Sequence, residues 1–417
     1  MGARMRKAFK VIGGSLLAAS FVAAAGCGKS GGSNAAKEAV YNGEPVTITI
    51  SWNAPEDIAR TITDHPYMKA KYPNIKFAFQ LYDNLDQAIF SNNPPDIINV
   101  ADFQMPDIMK KNLPYDLTSL VKLNGYNMNV FPNDMVTLLK KFSPDGKQLL
   151  GMPDKSPLNA SSAHTPYFTI YNKDIFDKFA VPYPKDNMTW DETIDLGKRL
   201  TRKDGGTDYI GFVAGNYFGN IVPQLNLQYA GADKKVDLSN PAWLKIANWI
   251  KRAYDEQGKS NSFSDTGLFL KGTAAMMVGY NERYIFNPAA YESQVNWDMA
   301  TFPRAKDKLE VRPALGLYVV NAQSKNKDAA FKAIAAFLSD EMQVDRRVKW
   351  DDPLIKKRNT KAIKAISTSI FVPNEYTNVG NNFVWTKFVE AMKKGTDVNT
   401  AMREVQEQLQ QEINKLP

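Results

Sequence analysis

The stretch Phe168-Thr169-Ile170-Tyr171-Asn172-Lys173-Asp174-Ile175-Phe176 decides the fold, because a β-branched and aromatic run passes directly into residues of helical character. It reads as a strand feeding a short helix. Downstream, Val181-Pro182-Tyr183-Pro184 interrupts regular structure. Thr189 and Glu192 then stand three residues apart, the spacing at which each side chain satisfies the other's free backbone amide at a helix start. Ile194, Leu196 and Leu200 give that helix an apolar face. Asp191 and Glu192 lie at its positive end and Lys198 and Arg199 at its negative end, as the helix dipole favours, and Gly205-Gly206 closes the segment.

Working outward, Val46-Thr47-Ile48-Thr49-Ile50-Ser51-Trp52 alternates as a first strand. Ile75-Lys76-Phe77-Ala78-Phe79 follows the turn-like Tyr72-Pro73-Asn74 as a second, and the buried run Asp96-Ile97-Ile98-Asn99-Val100 reads as a third. Helix-compatible segments separate them, and such alternation predicts an α/β fold with a mainly parallel sheet. Ser143-Pro144-Asp145-Gly146-Lys147 is a turn. Phe331, Ile334, Ala335 and Leu338, and later Val398, Met402, Val405, Leu409 and Ile413, recur at helical spacing and predict core-facing stripes.

The 417 residues are 44% hydrophobic and 23% charged, which excludes a mainly disordered chain and allows two or three domains. A single cysteine rules out an internal disulfide, and His65 and His164 are too few for a histidine metal centre, so no cofactor or metal is expected. The formal charge of +8 halves once Arg4, Arg6, Lys7 and Lys10 are set aside. No basic cluster interleaved with aromatics recurs, so nucleic acid is not an expected partner.

Those four residues begin an export signal: Val11 to Ala25 is apolar or small apart from Ser15 and Ser20, and too short to span a bilayer comfortably. Ala24-Ala25-Gly26-Cys27 resembles a bacterial lipobox, although Ala24 stands where that pattern usually has Leu. The resemblance implies lipidation of Cys27 and anchoring at the extracellular face of the cell membrane, with residues 1–26 as signal peptide. Residues 27–43, containing Gly28-Lys29-Ser30-Gly31-Gly32-Ser33-Asn34, have flexible-linker composition.

Several segments together resemble the extracellular solute-binding proteins of ATP-driven sugar importers, the group that includes maltose-binding protein. The most specific is Tyr171-Asn172-Lys173-Asp174-Ile175-Phe176 with Val181-Pro182-Tyr183-Pro184 and Thr189-Trp190-Asp191-Glu192. Pro94-Pro95-Asp96-Ile97-Ile98, Lys271-Gly272-Thr273-Ala274-Ala275-Met276-Met277-Val278-Gly279, Asn296-Trp297-Asp298-Met299-Ala300 and Ser324-Lys325-Asn326-Lys327-Asp328-Ala329-Ala330 support it. The resemblance covers nearly all of residues 45 to 417. It implies a two-lobed periplasmic-binding-protein fold of type II, each lobe a mainly parallel sheet flanked by helices, with a ligand cleft between the lobes. Carried over, the first lobe is 44–164 plus 313–366 and the second 165–312 plus 367–417. A monomer that closes on a carbohydrate, in size an oligosaccharide, and delivers it to ABC permease subunits is the implied function. No covalent chemistry is required.

A sugar presents hydroxyls and C–H faces, so its receptor needs flat aromatic surfaces beside paired donors and acceptors, and in open α/β sheets these lie beyond the carboxyl ends of strands. Trp52, Asn53 and Glu56 follow the first strand, and Asp102, Phe103 and Gln104 follow the third. Asp102 reads either as a helix N-cap or as a polar contact. His164, Thr165 and Tyr167 precede the deciding strand, with His164 open to a purely structural role. Tyr217 and Phe218, and then Tyr280, Asn281 and Glu282, match family positions on the second lobe. The maltose-binding pattern has Trp where this chain continues Tyr280-Asn281-Glu282, which leaves the sugar's identity open. Trp350 and Trp385 are further candidates that suit a core equally well.

Two other functions compete. A secreted polysaccharide hydrolase needs two carboxylates flanking a bond, which composition does not exclude, but no Gly-x-Ser-x-Gly elbow, His-Glu-x-x-His or phosphate-cradling loop occurs. A same-fold receptor for a non-sugar solute is the other.

Overall fold

The computed structural model describes residues 40–52, 60, 62–81, 94–131, 133–153, 167–214, 221–256, 267–281, 284–285, 288–307, 309–311, 315–343, 351–364, 366–368 and 371–416. In chain order, strands β1 (Val46–Trp52), β2 (Ile75–Leu81) and β3 (Ile97–Ala101) lead through the turn Asp102–Gln104 into helix α1 (Met105–Lys110), then α2 (Thr118–Leu123) and β4 (Met152–Pro153). Next come β5 (Tyr167–Asn172), α3 (Trp190–Leu200), β6 (Arg202–Asp204), β7 (Thr207–Val213), α4 (Pro241–Glu256), β8 (Ala274–Tyr280), β9 (Trp297–Thr301), β10 (Glu310–Val311) and β11 (Gly316–Val320). Helices α5 (Lys327–Phe337), α6 (Pro353–Lys356) and α7 (Lys361–Lys364), strand β12 (Ser367–Thr368) and helices α8 (Thr377–Lys393) and α9 (Val398–Asn414) follow, and shorter helices lie between these elements, among them Lys173–Lys178 directly after β5 as the sequence predicts. Among the described residues, no helix is long and apolar enough to cross a membrane.

The strands form two five-stranded sheets, ordered β2-β1-β3-β11-β4 and β6-β7-β8-β5-β9. Parallel pairing joins β1 with β2, whose connection carries the helix Pro66–Lys71, β1 with β3, and β7 with β8, whose connection carries α4. Strands that enter from the other sheet's side of the chain pair antiparallel: β11 against β3 and β4, and β5 against β8 and β9. Each sheet is therefore mixed, flanked by helices.

Burial follows the pleat. In the first sheet Ile48, Ile50, Ile97, Val100, Leu317 and Val319 join Phe331, Ile334 and Phe337 of α5 in one core. Strand β8 is covered on both faces: Met276 and Val278 point toward Trp190, Trp243 and Trp249, whereas Met277 points toward Phe168, Ile170 and Trp297. Burial on two sides is why it reads as an unbroken apolar run instead of an alternating one. The capping box forms as the spacing predicts, with the Glu192 amide donating to Thr189 Oγ1 at 3.1 Å and the Thr189 amide to Glu192 Oε2 at 2.7 Å. Thr189→Ala is expected to cost about 1 kcal/mol, read as a lower urea midpoint at unchanged slope.

Strands β10 and β12 pair in parallel, Glu310 opposite Ser367 and Val311 opposite Thr368, forming a separate two-stranded ribbon. The segment carrying α6 and α7, which the sequence groups with the first sheet, packs Ile355, Ala362 and Ile363 among Phe168, Trp297 and Met299 of the second.

Candidate functional site

Strand register places two sheet edges at the ends of the same chain crossings. In the first sheet the carboxyl end of β3, Ala101, pairs with Gly316 at the start of β11, and Pro153 at the end of β4 pairs with Leu317. Trp52 ends β1, which runs parallel to β3, so it belongs to this edge. In the second sheet Tyr167 at the start of β5 pairs with Tyr280 at the end of β8, Phe168 pairs with Thr301 at the end of β9, and Val213 at the end of β7 pairs with Met277. Residues 154–166 link the first edge to the second, and residues 302–315 link the second back to the first. Both links run rim to rim. These rims are the strand ends beyond which α/β sheets hold ligands.

On the first rim, the turn after β3 is fastened rigidly. The Asp102 amide donates to the Leu315 carbonyl at 2.9 Å, and the Ala101 amide donates to Gln104 Oε1 at 2.9 Å. Asp102 is 3% exposed and is the first residue of the turn, so the N-cap alternative is not realised. Phe103 is the large apolar side chain left open there, at 36% exposure. The turn therefore presents an aromatic ring on a backbone pinned at both ends.

On the second rim, Tyr167 is half-buried, its ring edge-on to Phe302 with centroids 6.0 Å apart. Asn281 is fully buried one residue past β8. Its Nδ2 donates to the Phe168 carbonyl at 2.6 Å and the Met277 carbonyl at 3.0 Å, tying the start of β5 to the end of β8. Its Oδ1 has no partner among the described residues.

Trp385 stands in the second core, not at a rim. Its indole N–H donates to the Tyr229 hydroxyl at 3.1 Å, and its ring is tilted against Trp243 at 6.1 Å. Burial pushes the Tyr229 hydroxyl far above its ordinary value, so it stays neutral and also donates to Asn381 Oδ1 at 2.7 Å. For Trp52 and Tyr280 the backbone alone is described. Asn53, Glu56, His164, Thr165, Tyr217, Phe218, Glu282, Trp350 and the lipobox Cys27 lie outside the described residues.

Sequence reading passed over Thr301, Phe302 and Leu315, which border the rims because strands end there. Their signal is positional, the end of an antiparallel strand adjoining a crossing, and residue type carries none of it. A groove of about 390 Å³ also lies between α1 and residues 372–375, where Met109, Phe142, Val372 and Pro373 make it largely apolar and Lys110 pairs with Glu375. Its lining suits packing between segments better than hydroxyl recognition. Among the described residues, no three His, Cys, Asp or Glu side chains converge as metal ligands.

Comparison with solved structures gives the same architecture. An ABC substrate-binding protein from Listeria monocytogenes in complex with cycloalternan superposes with a TM-score of 0.66 at 18% identity, covering 89% of this chain and 100% of that one. The sugar-binding protein MalE from Xanthomonas citri gives 0.66 at 16% identity, covering 89% and 98%. An ABC transporter solute-binding protein from Agrobacterium vitis with bound D-mannitol gives 0.60 at 16%, covering 89% and 99%. At these identities the likeness shows a shared two-lobed fold. A search of curated proteins finds no match. The family model described as bacterial extracellular solute-binding protein matches residues 53–344, well over half of the chain. The chain belongs to the bacterial extracellular solute-binding proteins.

Proposed function

We propose that this protein is a lipid-anchored receptor of an ABC importer that closes two lobes on a carbohydrate of oligosaccharide size and hands it intact to a membrane permease. The observation that carries this reading is the pair of rims joined by two crossings, with Phe103 and Tyr167 offering aromatic surface on opposite sheets. A ligand touching both rims selects the closed form, because only closure brings the second set of contacts. The link carrying β10 is the natural hinge, since it runs between the sheets and its pairing with β12 fastens it to a segment next to the second core. We assign residues 353–366 to the second lobe, following their packing, and otherwise divide the chain at 164/165 and 312/313. The cycloalternan-bound neighbour supports an oligosaccharide. The mannitol-bound neighbour supports a smaller polyol as the second reading.

A thermal-shift screen of mono- and oligosaccharides and polyols, followed by calorimetry, tests this. A true ligand at 100 times its Kd adds about 2.7 kcal/mol to the folded state. Trp52→Ala and Tyr217→Ala should each weaken binding about tenfold with the fold intact, the scale of one lost aromatic surface. Unchanged affinity in both variants would remove these residues from the site. Recovery of cleaved sugar after incubation would replace the receptor with a hydrolase.

A further inference from the structure

We infer that Asp328 moors the N-terminal segment, so that the chain leaves its folded body at the first sheet's pole opposite the rim, and a lipid surface attached upstream holds the protein from that pole.

Asp328 lies in the first turn of α5 and is 1% exposed. The Tyr41 amide donates to its Oδ2 at 2.8 Å, across 287 residues of sequence. Asn124, at the end of α2, donates to its Oδ1 at 2.8 Å, and Lys332 pairs with it one helical turn on. Burial alone would raise this carboxyl's pKa, but the bonds from Lys332, Asn124 and the Tyr41 amide hold it below the usual carboxylate value, so it stays charged. Lys332 also lies over the Tyr41 ring, 5.7 Å from its centroid, and Tyr41 packs on the first core. Two further bonds continue the attachment: Asn74 Nδ2 to the Gly43 carbonyl at 2.7 Å and the Val46 amide to the Asn74 carbonyl at 2.9 Å. Residues 41–46 are thus fastened at successive points, and a buried charge is committed to the first of them.

The position follows from register. Val320, the last residue of β11, pairs with Ile97, the first of β3, so α5 begins at the edge where β1 and β3 start. Trp52 and Asp102 lie at the other edge. Seven strand residues separate the two edges by about 20 Å. Fourteen residues of sequence separate Cys27 from Tyr41, a reach of at most about 50 Å.

The inference rests on the lipid-anchor reading only for what lies upstream, and the two are separable. The chain from Cys27 onward, without lipid, carries one thiol for a nitroxide label. Paramagnetic broadening should be strongest at Tyr72, Asn124 and Lys332 and weakest at Ala101 and Phe168; broadening that is uniform, or strongest at the rim, overturns the mooring. Asp328→Ala should speed exchange of the Tyr41 amide by about tenfold or more, the effect of losing a bond to a charged acceptor. Should that variant not fold, Asn124→Ala removes one partner and predicts a smaller acceleration. A wild-type Tyr41 amide exchanging as fast as that of exposed Val40 would refute the idea outright. Lipidation is judged separately: if Cys27→Ser still sediments with membranes, the anchor reading fails while the mooring stands.

Discussion

Gly211→Ala is expected to lose about 3 kcal/mol of stability or more, the upper range for forcing a methyl group into close-packed structure. A Cβ at Gly211 in β7 would lie 2.1 Å from the Gly197 carbonyl oxygen and 2.3 Å from its carbonyl carbon and Cα. Gly197 is on α3, so helix and strand cross here backbone to backbone. Backbone atoms cannot rotate aside as a side chain can. The helix would have to shift, drawing Trp190, Ile194 and Leu200 away from Phe212 and Met276 across the second core. Gly205→Ala is the control, because a Cβ there meets nothing within 4 Å and the strain comes only from its φ of +55°. That change should cost about 1 kcal/mol. Urea melts of both variants decide the matter: equal midpoints would mean that the crossing is looser than described.

The contrast between these glycines shows what a sequence can carry. Gly205-Gly206 is legible because a double glycine marks a turn through local backbone freedom alone; here it makes the hairpin turn between β6 and β7, with β6 standing between it and the end of α3. Gly197 and Gly211 are fourteen residues apart, and nothing local says that they meet. The same division runs through the fold. The strands β1, β3 and β5 and the capped helix α3 are written in alternation, β-branching and spacing. That β11 lies antiparallel to β3, or that α6 and α7 sit on the second sheet, depends on which distant partner each apolar face finds.

The site divides likewise. Asp102, Phe103 and Gln104 are legible as a loop following a strand, but which of them opens outward depends on the local Ala101–Gln104 bond and on the Asp102–Leu315 bond, and the second involves backbone brought from the far end of a crossing. Trp385 has the residue type of a sugar platform. Its hydrogen bond to Tyr229 and its contact with Trp243 join residues 156 and 142 positions away, and make it part of the core. Residue type nominates aromatic candidates; only burial and the partner of each polar atom separate a platform from a packing residue.

Arg358→Met is expected to destabilise the protein by about 2 kcal/mol, the scale on which a buried acceptor misses a charged donor. The guanidinium side chain is 4% exposed and pairs with Glu292, donates to the Trp297 carbonyl, and lies 4.4 Å from the centroid of the Trp297 ring. Burial pushes the Glu292 carboxyl up, but Lys357 and Arg358 outweigh it and leave the pKa below its usual value. Their contribution is therefore complete at neutral pH and falls away as acid takes the solution down through the Glu292 pKa. The next residue continues the clamp, with the Asn359 amide donating to Asp298 Oδ1 at 2.8 Å and its Nδ2 to Asp186 Oδ2 at 3.0 Å. Together these bonds fix the segment that leads into β12 of the ribbon onto the second sheet. Removing the arginine alone leaves the Trp297 carbonyl without that donor and Glu292 with Lys357 as its remaining partner, whereas Arg358→Met with Glu292→Met should recover part of the loss, since the pair leaves together. Because the clamp lies next to the proposed hinge, the single variant should also weaken sugar binding relative to the double variant. A single variant that melts with the wild type would show that Ile355, Ala362 and Ile363 hold this segment in place without the ion pair.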